Sequence, residues 1–512
     1  MLSTSNRRSH APMRTGRRPH QPPSPAALAL ALDLSLTAML HACVRYQTLP
    51  ARVSDARGAH VGHIEQSNGP MLAASEPTLV RHRHAEYISE RFRPFHTRLS
   101  SLGRNDAPPS KCLPHFWHLR MAISAAHRPM SNERVFWVAA TYVGDALKQV
   151  HRHKAQGVFE LLRQALQDQL RNAGMLHEQI GKLPNRTMTL YYQFLDWISP
   201  QASLLPVAER CTSRSATGIP IPDFTFSHYP AIAPKSLNLT RSDWPSILGR
   251  LQQLHADLGW NRTSTIMWRG DVMNQPFNNR NLPVEHRYRR SRMVELFHDE
   301  LESKLAELGV SSDVGHAGRL ALRGSITWMQ RQRASWPDQC HSRYQLHVDG
   351  FSYAASLKYR LACGAVVLRI SGANGVGHRL EAPLEWFEAV RPLRAGVEYV
   401  EISPNMSNLV EEVRQLQRDP QKAQRLSAAA ASYAANELSQ AAVSSFLDAF
   451  LTAYATLFAQ WHQSCGRAAA HARVREVEAD PAGCAAAAER EALEAPSADP
   501  HLRPVVCATV VA

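Results

Sequence analysis

Runs of apolar residues that predict buried strands alternate, along this chain, with segments whose apolar residues recur at helical spacing. VFWVAATYVG (135–144) and TLYYQFLDWISP (189–200) are typical of strands, and GVFELLRQALQDQLRNAGMLHEQIGKL (157–183) between them is typical of a helix that stops near Gly181. Strands that alternate with helices favour parallel sheets. We therefore expect an α/β domain over residues 80–230.

A second α/β domain is predicted over residues 231–462. TGIPIPDFTF (217–226) leads into it, and its two prolines exclude a central strand, so we expect an extended connection there. TSTIMWRG (263–270) predicts a strand that enters a glycine turn, and residues 407–461 predict a helical segment broken at Pro420. Ligands of open α/β sheets bind beyond the carboxyl ends of the strands, so we expect the chemistry in the polar loops that follow the strands.

The two ends of the chain depart from this pattern. Residues 1–75 are rich in Pro, Ser, Arg and His and predict a disordered leader, whereas residues 463–512 predict a low-complexity tail without a catalytic role. The apolar run at 26–44 follows arginines, which suits a signal peptide or a single membrane anchor, although Asp33 would cost about 2.5–3.5 kcal/mol at mid-membrane. An Arg- and Ser-rich, acid-poor start also suits an organelle transit peptide, and a leader without a targeting role is the third possibility.

The net charge is less informative than its size suggests. The 512 residues carry a formal charge of +14, but five arginines lie within the first 20 residues and the other basic residues are dispersed. A basic tail is a weaker sign of nucleic-acid binding than a basic face on a folded domain. We interpret the charge as solvated surface, expect no nucleic-acid partner, and keep a basic nucleic-acid-binding protein as an alternative.

The eight cysteines do not indicate a structural zinc site, because none form a C-x-x-C pair. Cys363 lies within an apolar strand pattern, which favours a buried thiol. If the chain is secreted, the better disulfide candidates are Cys112, Cys211 and Cys340.

A basic cluster consists of His151, His153 and Lys154, and it lacks the carboxylates and cysteines at ligand spacing that a metal site needs. We therefore predict no metal site.

The stretch Met267-Trp268-Arg269-Gly270-Asp271 follows the predicted strand of the second domain. Arginine offers five N–H donors in a rigid fork that suits phosphate oxygens, and glycine lets a backbone approach a ligand closely. We expect Arg269 and Gly270 to bind an anionic ligand. The alternative is that Arg269 caps an aromatic residue at a strand end.

HVDGFSYAASLKYRLACGAVVLRI (347–370) predicts a loop, a short helix and a buried strand. A helix N-terminus gathers unpaired N–H groups and positive potential, which suits a diphosphate. Ser352 and Ser356 would add hydroxyl donors, and Lys358 would add charge. The segment is thus a candidate phosphate cradle, and the alternative is an ordinary capped helix before a core strand.

Asp196 is an acid at the end of a predicted strand, where it could act in catalysis or cap a turn. No G-x-x-x-x-G-K-[ST] pattern occurs, which argues against a P-loop kinase or ATPase.

Five segments, taken in order, resemble the Rumi-like protein O-glucosyltransferase family, which includes the fungal capsule-associated (CAP10) proteins and a plant branch. The resemblance covers about residues 180–460 and is closest to the plant-type pattern in the middle segment. The segments are LPNRTMTLYYQFLDWISP, IPIPDFTF, MWRGD, the 347–370 stretch and EWFEAVRPLRAGVEYVEISPNMSNL.

The resemblance implies a glycosyltransferase of the GT-B type, with two Rossmann-like domains facing a cleft: an acceptor-side domain at 80–230 and a nucleotide-sugar-binding domain at 231–462. It implies that basic side chains and a helix N-terminus, rather than a metal, balance the donor diphosphate. By match to the family motifs, the donor residues are Arg269, Gly270, Ser352, Ser356, Lys358 and Glu385.

The catalytic base is less well matched. The acidic Asp-Cys element of the animal enzymes has no counterpart here, and Asp145 is the nearest acid to its place. Asp196 matches the Asp of a second family element, although two residues separate Trp197 from Pro200. Asp145 and Asp196 are therefore both candidates.

The sequence thus predicts an enzyme that moves glucose or xylose from UDP-glucose or UDP-xylose to a hydroxyl of a protein or glycan, without a cofactor. A catalytically inactive relative that acts as a binding protein is the alternative. The leader and four N-x-[ST] sequons favour the lumen of the endoplasmic reticulum or Golgi, with organelle targeting as the alternative.

Overall fold

A computed structural model describes residues 77–102, 119–127, 133–143, 149–172, 174–193, 204–213, 216–227, 243–270, 289–316, 334–350, 353–370, 383–473 and 502–510. All of them fall within one compact unit, Leu72–Ala512. Outside the described residues lie the predicted leader with its apolar run, and three of the predicted site residues: Asp145, Asp196 and Ser352.

Six strands form the first sheet: β1 (Leu119–His127), β2 (Arg134–Val143), β3 (Thr187–Gln193), β4 (Ala208–Glu209), β5 (Ile219–Pro220) and β11 (Leu502–Val510). Their order across the sheet is β11–β2–β1–β3–β4–β5. β1 pairs antiparallel with β2 and β3, β11 pairs antiparallel with β2, and β4 pairs in parallel with β3 and β5.

This mixed sheet corrects the expectation of a Rossmann-like first domain. Strand β1, which lies between β2 and β3, was not predicted from the sequence. The connection from β1 to β2 is too short for a crossover helix, so the two strands pair antiparallel. The predicted α/β class holds, since two helices connect β2 to β3: α2 (Gln149–Arg171) and α3 (Leu176–Gly181).

Five strands form the second sheet: β6 (Thr263–Gly270), β7 (Ser311–His316), β8 (Ser342–His347), β9 (Val366–Ile370) and β10 (Val400–Ile402). Every pairing is parallel, and the order is β10–β9–β8–β6–β7. The buried strand predicted after the glycine at 364 is β9, and the strand predicted before the glycine turn is β6. This sheet is the parallel one that the alternating pattern predicted.

The remaining helices cover these sheets. They are α1 (Pro77–Ser100), α4 (Trp244–Leu258), α5 (Arg289–Leu296), a π-helical turn (Phe297–Leu301), α6 (Glu302–Ala306), α7 (Trp336–Cys340), α8 (Leu357–Ala362), α9 (Trp386–Val390), α10 (Leu409–Arg418), α11 (Pro420–Glu437) and α12 (Gln440–Arg473), with 3₁₀ turns at Pro184–Arg186 and Phe224–Phe226. The break predicted at Pro420 is observed, because proline begins a helix readily but cannot continue one.

Helix α12 passes through the main hydrophobic core. Phe446, Phe450 and Tyr454 are fully buried there, together with Phe92 of α1. Among the described helices, one segment, Gln440–Cys465, is long and apolar enough to cross a membrane, with a mean hydropathy of 1.4, but 56% of its most apolar window is buried inside the protein. These contacts make it a core helix.

The C-terminal tail contains a strand that its composition did not reveal. β11 lies within the segment predicted to be a low-complexity tail, yet Leu502–Val143 through Val510–Phe136 pair it with β2. The sequence LRPVVCATV is rich in β-branched residues, which suit a sheet edge, and the prediction weighted the Ala-rich segment before it too heavily.

Cys340 and Cys363 form a disulfide, with Cα atoms 5.2 Å apart. Cys340 was predicted as a disulfide candidate, but the buried-thiol interpretation of Cys363 was wrong. Cys363 directly follows α8, and Cys340 ends α7, so the covalent bond joins the carboxyl ends of two helices. The sequence could not reveal the pairing, because the two helices meet only in the folded chain.

One buried guanidinium binds the same two cysteines. Arg262 donates to the carbonyls of Cys340 (2.6 Å) and Cys363 (2.7 Å), and to that of Gly259 (3.2 Å), which caps α4. A cation at the carboxyl ends of three helices is favoured by their dipoles. Burial nevertheless lowers the pKa of Arg262 to about 10. Arg262 and the disulfide therefore hold α8 from the same side.

We expect Arg262→Met to lower the free energy of unfolding by about 3 kcal/mol, because it leaves buried carbonyls without a donor. Reducing the disulfide should cost about 3 kcal/mol more by loop entropy. Because both act on the same carbonyl-bearing residues, removing both should cost at least about 1 kcal/mol beyond the sum. Urea denaturation with and without reductant measures this coupling. Arg425→Met, at an exposed position, is the control variant. Strictly additive losses would show that Arg262 and the disulfide do not hold α8 together.

Candidate active site

The strand order of the second sheet predicts where a ligand binds. From β6 the chain passes outward to β7, and then crosses to β8 on the other side of β6. At such a reversal the loops after the two central strands separate and leave a crevice at their carboxyl ends. The residues at these ends are Arg269 and Gly270, the last two of β6, and Val348 to Gly350, which follow β8.

Arg269 lies at the carboxyl end of β6, as predicted, but its guanidinium already has an acidic partner. It donates to the side chain and to the carbonyl of Asp313 on the adjacent strand β7. The Arg269 side chain is 8% exposed, whereas that of Asp313 is 41% exposed. The pair therefore lies at the water-facing edge of the crevice.

Only glycine fits at position 270, because a neighbouring side chain fills the space of a Cβ atom. A Cβ atom at this position would collide with the indole ring of Trp268, which is buried. The close contact that only glycine permits here is thus with Trp268, and the prediction that Gly270 admits a ligand stays untested.

Lys358 does not lie at the mouth of a phosphate cradle. Its side chain is fully buried and forms an ion pair with Asp223, at 3.4 Å, and a hydrogen bond with Thr225. The ammonium group lies 3.4 Å from the centroid of the Phe226 ring and 5.1 Å from that of Trp244. The positive charge of Lys358, predicted to face a ligand, is neutralised within the protein.

Asp223 accepts four hydrogen bonds from within the protein. Its carboxylate accepts from the Thr225 amide (3.1 Å), the Thr225 hydroxyl (2.5 Å), the Tyr353 hydroxyl (2.5 Å) and Lys358. Burial alone would raise the pKa of Asp223, but Lys358 and the hydrogen bonds from Thr225 and Tyr353 hold it below its ordinary value. Asp223 is thus a buried, ionised group whose charge is balanced by Lys358 within the protein.

The opposite side of the same helix carries a cation in a different state. Arg360 is 1% exposed, and its Nε and Nη1 have no hydrogen-bond partner among the described residues. Its guanidinium lies 5.8 Å from the Trp336 ring. Burial and the nearby Arg290 lower the pKa of Arg360 to about 9.

Arg290 places a second guanidinium group at the carboxyl end of β8. It donates to the carbonyls of Asp349 (3.1 Å) and Val348 (3.3 Å). Arg290 reaches this position from α5, which precedes β7 in the chain. Two like charges, Arg290 and Arg360, therefore interact at the carboxyl end of a central strand.

The predicted donor residues Glu385 and Ser356 flank α8. Glu385 is 2% exposed at the start of α9, and its burial and the negative charge of Asp223 raise its pKa well above the ordinary value. Ser356 precedes α8 directly, is half-buried and makes no capping hydrogen bond with its side chain. The helix has six residues, so the electrostatic field of its N-terminus is weaker than predicted.

Sequence reasoning missed four residues that the structure gathers around α8. Three of them lay inside quoted motifs without a role: Asp223 in IPIPDFTF, and Tyr353 and Arg360 in the 347–370 stretch. Arg290 lay outside every motif. The signal that was available is the charge of Arg360, two positions from Lys358 in a helix that is otherwise apolar.

Residues 179–499 match the model of glycosyl transferase family 90. The chain belongs to this family. The family predicted from the motifs is confirmed; glycosyl transfer by this chain and the Rumi-like, plant-type branch stay predictions.

Solved structures similar to this chain include three complexes of HepE from Anabaena, with UDP, with UDP-glucose, and with UDP and glucose. Each is 12% identical and covers 38% of this chain, with TM-scores of 0.21 or 0.22. The match spans about half of the HepE chain, 49–50%. No curated protein matches the chain in sequence.

The buried pair generates a prediction about stability. Asp223→Asn and Lys358→Met should each lower the free energy of unfolding by about 3–5 kcal/mol, because each leaves a buried charge without its partner. The double variant should lose at least about 2 kcal/mol less than the sum of the two. Urea denaturation at neutral pH measures the three losses, and strictly additive values would show that the two side chains do not stabilise one another.

The same pair predicts a pH dependence. Because the pKa of Asp223 in the folded state lies below its ordinary value of 3.8, its contribution is present at neutral pH and is lost as the pH falls through the folded-state pKa. The stability difference between the wild type and Asp223→Asn should therefore shrink below about pH 4. A difference that stays constant in thermal unfolding between pH 7 and pH 2 would contradict this.

Proposed function

We propose that this family 90 protein transfers glucose or xylose from a UDP-sugar to a hydroxyl group of a protein or glycan. The observation that carries the proposal is the pair of guanidinium groups, Arg290 and Arg360, at the carboxyl end of β8. They lie at the strand reversal where open parallel sheets bind nucleotides.

The state of Arg360 supports an anionic ligand at this place. Burying a charged group without a hydrogen-bonded partner costs several kcal/mol, and a second cation beside it adds to the cost. A diphosphate would remove both penalties, since guanidinium groups bind phosphate oxygens with two parallel hydrogen bonds. Arg269 and Ser356 lie on neighbouring elements as further donors to such a group.

The chemical step follows from this arrangement. The acceptor oxygen forms a bond to the anomeric carbon, the bond from that carbon to the diphosphate oxygen breaks, and UDP leaves with the electron pair. Arg290 and Arg360 stabilise the charge that develops on the leaving diphosphate, because they are fixed before the reaction. A carboxylate takes the acceptor proton, and Asp145 and Asp196 remain the candidates for it.

We propose that these side chains balance the diphosphate without a metal ion, so transfer should persist in EDTA. We also propose that the two sheets form the two halves of a GT-B arrangement. The disulfide between Cys340 and Cys363 supports a secretory compartment, because disulfides persist in oxidising environments.

We expect Arg360→Met to abolish donor binding while the protein stays at least as stable as the wild type, since it replaces a buried, unpartnered charge with an apolar side chain. UDP should raise the melting temperature of the wild type by several degrees at 100 times its dissociation constant and leave that of the variant unchanged.

Arg369→Met is the matched control for this prediction. The Arg369 side chain is also largely shielded, at 11% exposure, but it pairs with Glu388 at 2.5 Å, so its loss should lower the melting temperature without ligand. Thermal unfolding with UDP, and UDP-glucose turnover, are the two measurements. If Arg360→Met retains the full UDP shift, the diphosphate lies elsewhere and the proposed donor site is wrong.

A further inference from the structure

His347 is a buried imidazole at the carboxyl end of β8, and its two ring nitrogens are in different states. The residue is fully shielded from water, at 0% exposure. Nε2 lies 3.3 Å from a carboxylate oxygen of Asp349, whereas Nδ1 has no hydrogen-bond partner in the part of the chain that the structure describes. A carboxylate accepts hydrogen bonds and does not donate them, so Nε2 carries the proton and Nδ1 is an acceptor without a donor.

The ring of His347 faces the helices α8 and α9. His347 lies opposite Arg369 in the parallel pairing of β8 with β9, so the two side chains project from the same face of the sheet. Arg369 pairs there with Glu388 of α9. Val367 lies on the same face of β9 and belongs to one hydrophobic cluster with the apolar residues of α8, the helix that carries Arg360. His347 is therefore placed beneath the proposed donor site.

The surroundings of His347 keep it neutral in the protein without a ligand. Burial lowers its pKa to about 4; the carboxylate of Asp349 opposes this shift, and the positive charges of Arg369 and Arg360 add to it. The charge of Arg369 is offset by Glu388, whereas Nε and Nη1 of Arg360 have no partner among the described residues. Arg360 is thus the cation near His347 whose charge a bound anion would offset.

Other charged groups at this end of the sheet have contacts of their own. Arg290 of α5 donates to the turn after β8, and Arg269 of β6 pairs with Asp313. Asp338 of α7 caps its own helix.

Two acids of α9 can also change protonation near this face. The pKa values of Glu385 and Glu388 are both raised, and burial is the main cause for each. A test of His347 must therefore keep both of these acids unchanged.

We propose that His347 takes up a proton when a UDP-sugar binds, and that the resulting imidazolium is a third cation for the donor diphosphate. The inference rests on the proposed function and adds a pH dependence to its donor site. One proton passes from solvent to Nδ1, which changes from an acceptor without a donor into a donor, and the diphosphate supplies the acceptor oxygens that such a group needs. Asp349 stabilises the imidazolium through Nε2, and the diphosphate offsets the charge of Arg360 that opposed protonation.

The probe for this proposal is UDP-glucose in the absence of an acceptor. Its diphosphate is esterified at both ends, so its charge stays constant between about pH 5.5 and pH 7.5. Calorimetry at about pH 6, in two buffers of different ionisation enthalpy, measures the protons taken up on binding. The wild type should take up about 0.5–1 proton per UDP-glucose, and its affinity should be about tenfold higher at pH 5.5 than at pH 7.5.

His347→Gln separates the titration of this residue from its contact with Asp349. The glutamine amide can donate to Asp349, but it cannot take up a proton. The variant should take up less than about 0.2 proton, and its affinity should stay constant within about twofold over the same pH range. Glu385 and Glu388 are unchanged in it, so they cannot account for the difference. His341→Gln, at an exposed position, is the matched control and should behave as the wild type.

Two results would overturn the inference while the donor site stands: UDP-glucose that binds the wild type without proton uptake, or uptake that His347→Gln retains in full. If the wild type binds no UDP-glucose at either pH, the proposed donor site is wrong and the inference falls with it. Thermal unfolding without ligand at both pH values verifies that each variant is folded. His347→Asn replaces His347→Gln if the latter is not.

Discussion

The ion pair between Asp223 and Lys358 is the contact on which the arrangement of the site depends. Asp223 comes from the proline-rich connection after the first sheet, and Lys358 comes from the helix between two strands of the second sheet. Both side chains are shielded from water, at 1% and 0% exposure, so their attraction is weakly screened and the loss of either partner is costly. The fold therefore permits little relative movement of these two elements.

Fixing Lys358 also fixes the other residues of α8. Positions 358 and 360 project from roughly opposite sides of a helix, so the side that holds Lys358 on Asp223 directs Arg360 towards Arg290. The disulfide and Arg262 constrain the carboxyl end of the same helix. A helix of six residues has little stability of its own, and these three attachments supply the rigidity that a preorganised site needs.

The sequence predicted what depends on local pattern and failed where distant segments meet. The parallel second sheet, the break at Pro420 and the carboxyl end of β6 followed from periodicity and from turn residues. β1 and β11 were missed, the first because no motif marked it and the second because composition dominated the interpretation of the tail. The partners of Lys358 and Cys363 lie 135 and 23 positions away, and no local rule links them. Charge alone could not separate Lys358 from Arg360, because the difference between them is whether a carboxylate lies opposite in the fold.

That difference provides a rule for the predicted cations of this site. The carboxylate partner of Lys358 is buried. If Lys358 turned to a phosphate instead, Asp223 would stay behind as a buried acid without a balancing charge. Arg269 is in another position, because its partner Asp313 is 41% exposed on the edge strand β7 and can be hydrated if the pair opens. Arg269 can therefore release Asp313 and turn to a ligand at modest cost, whereas Lys358 cannot. Of the two cations that the motifs singled out, Arg269 is therefore the one that stays a candidate for donor binding.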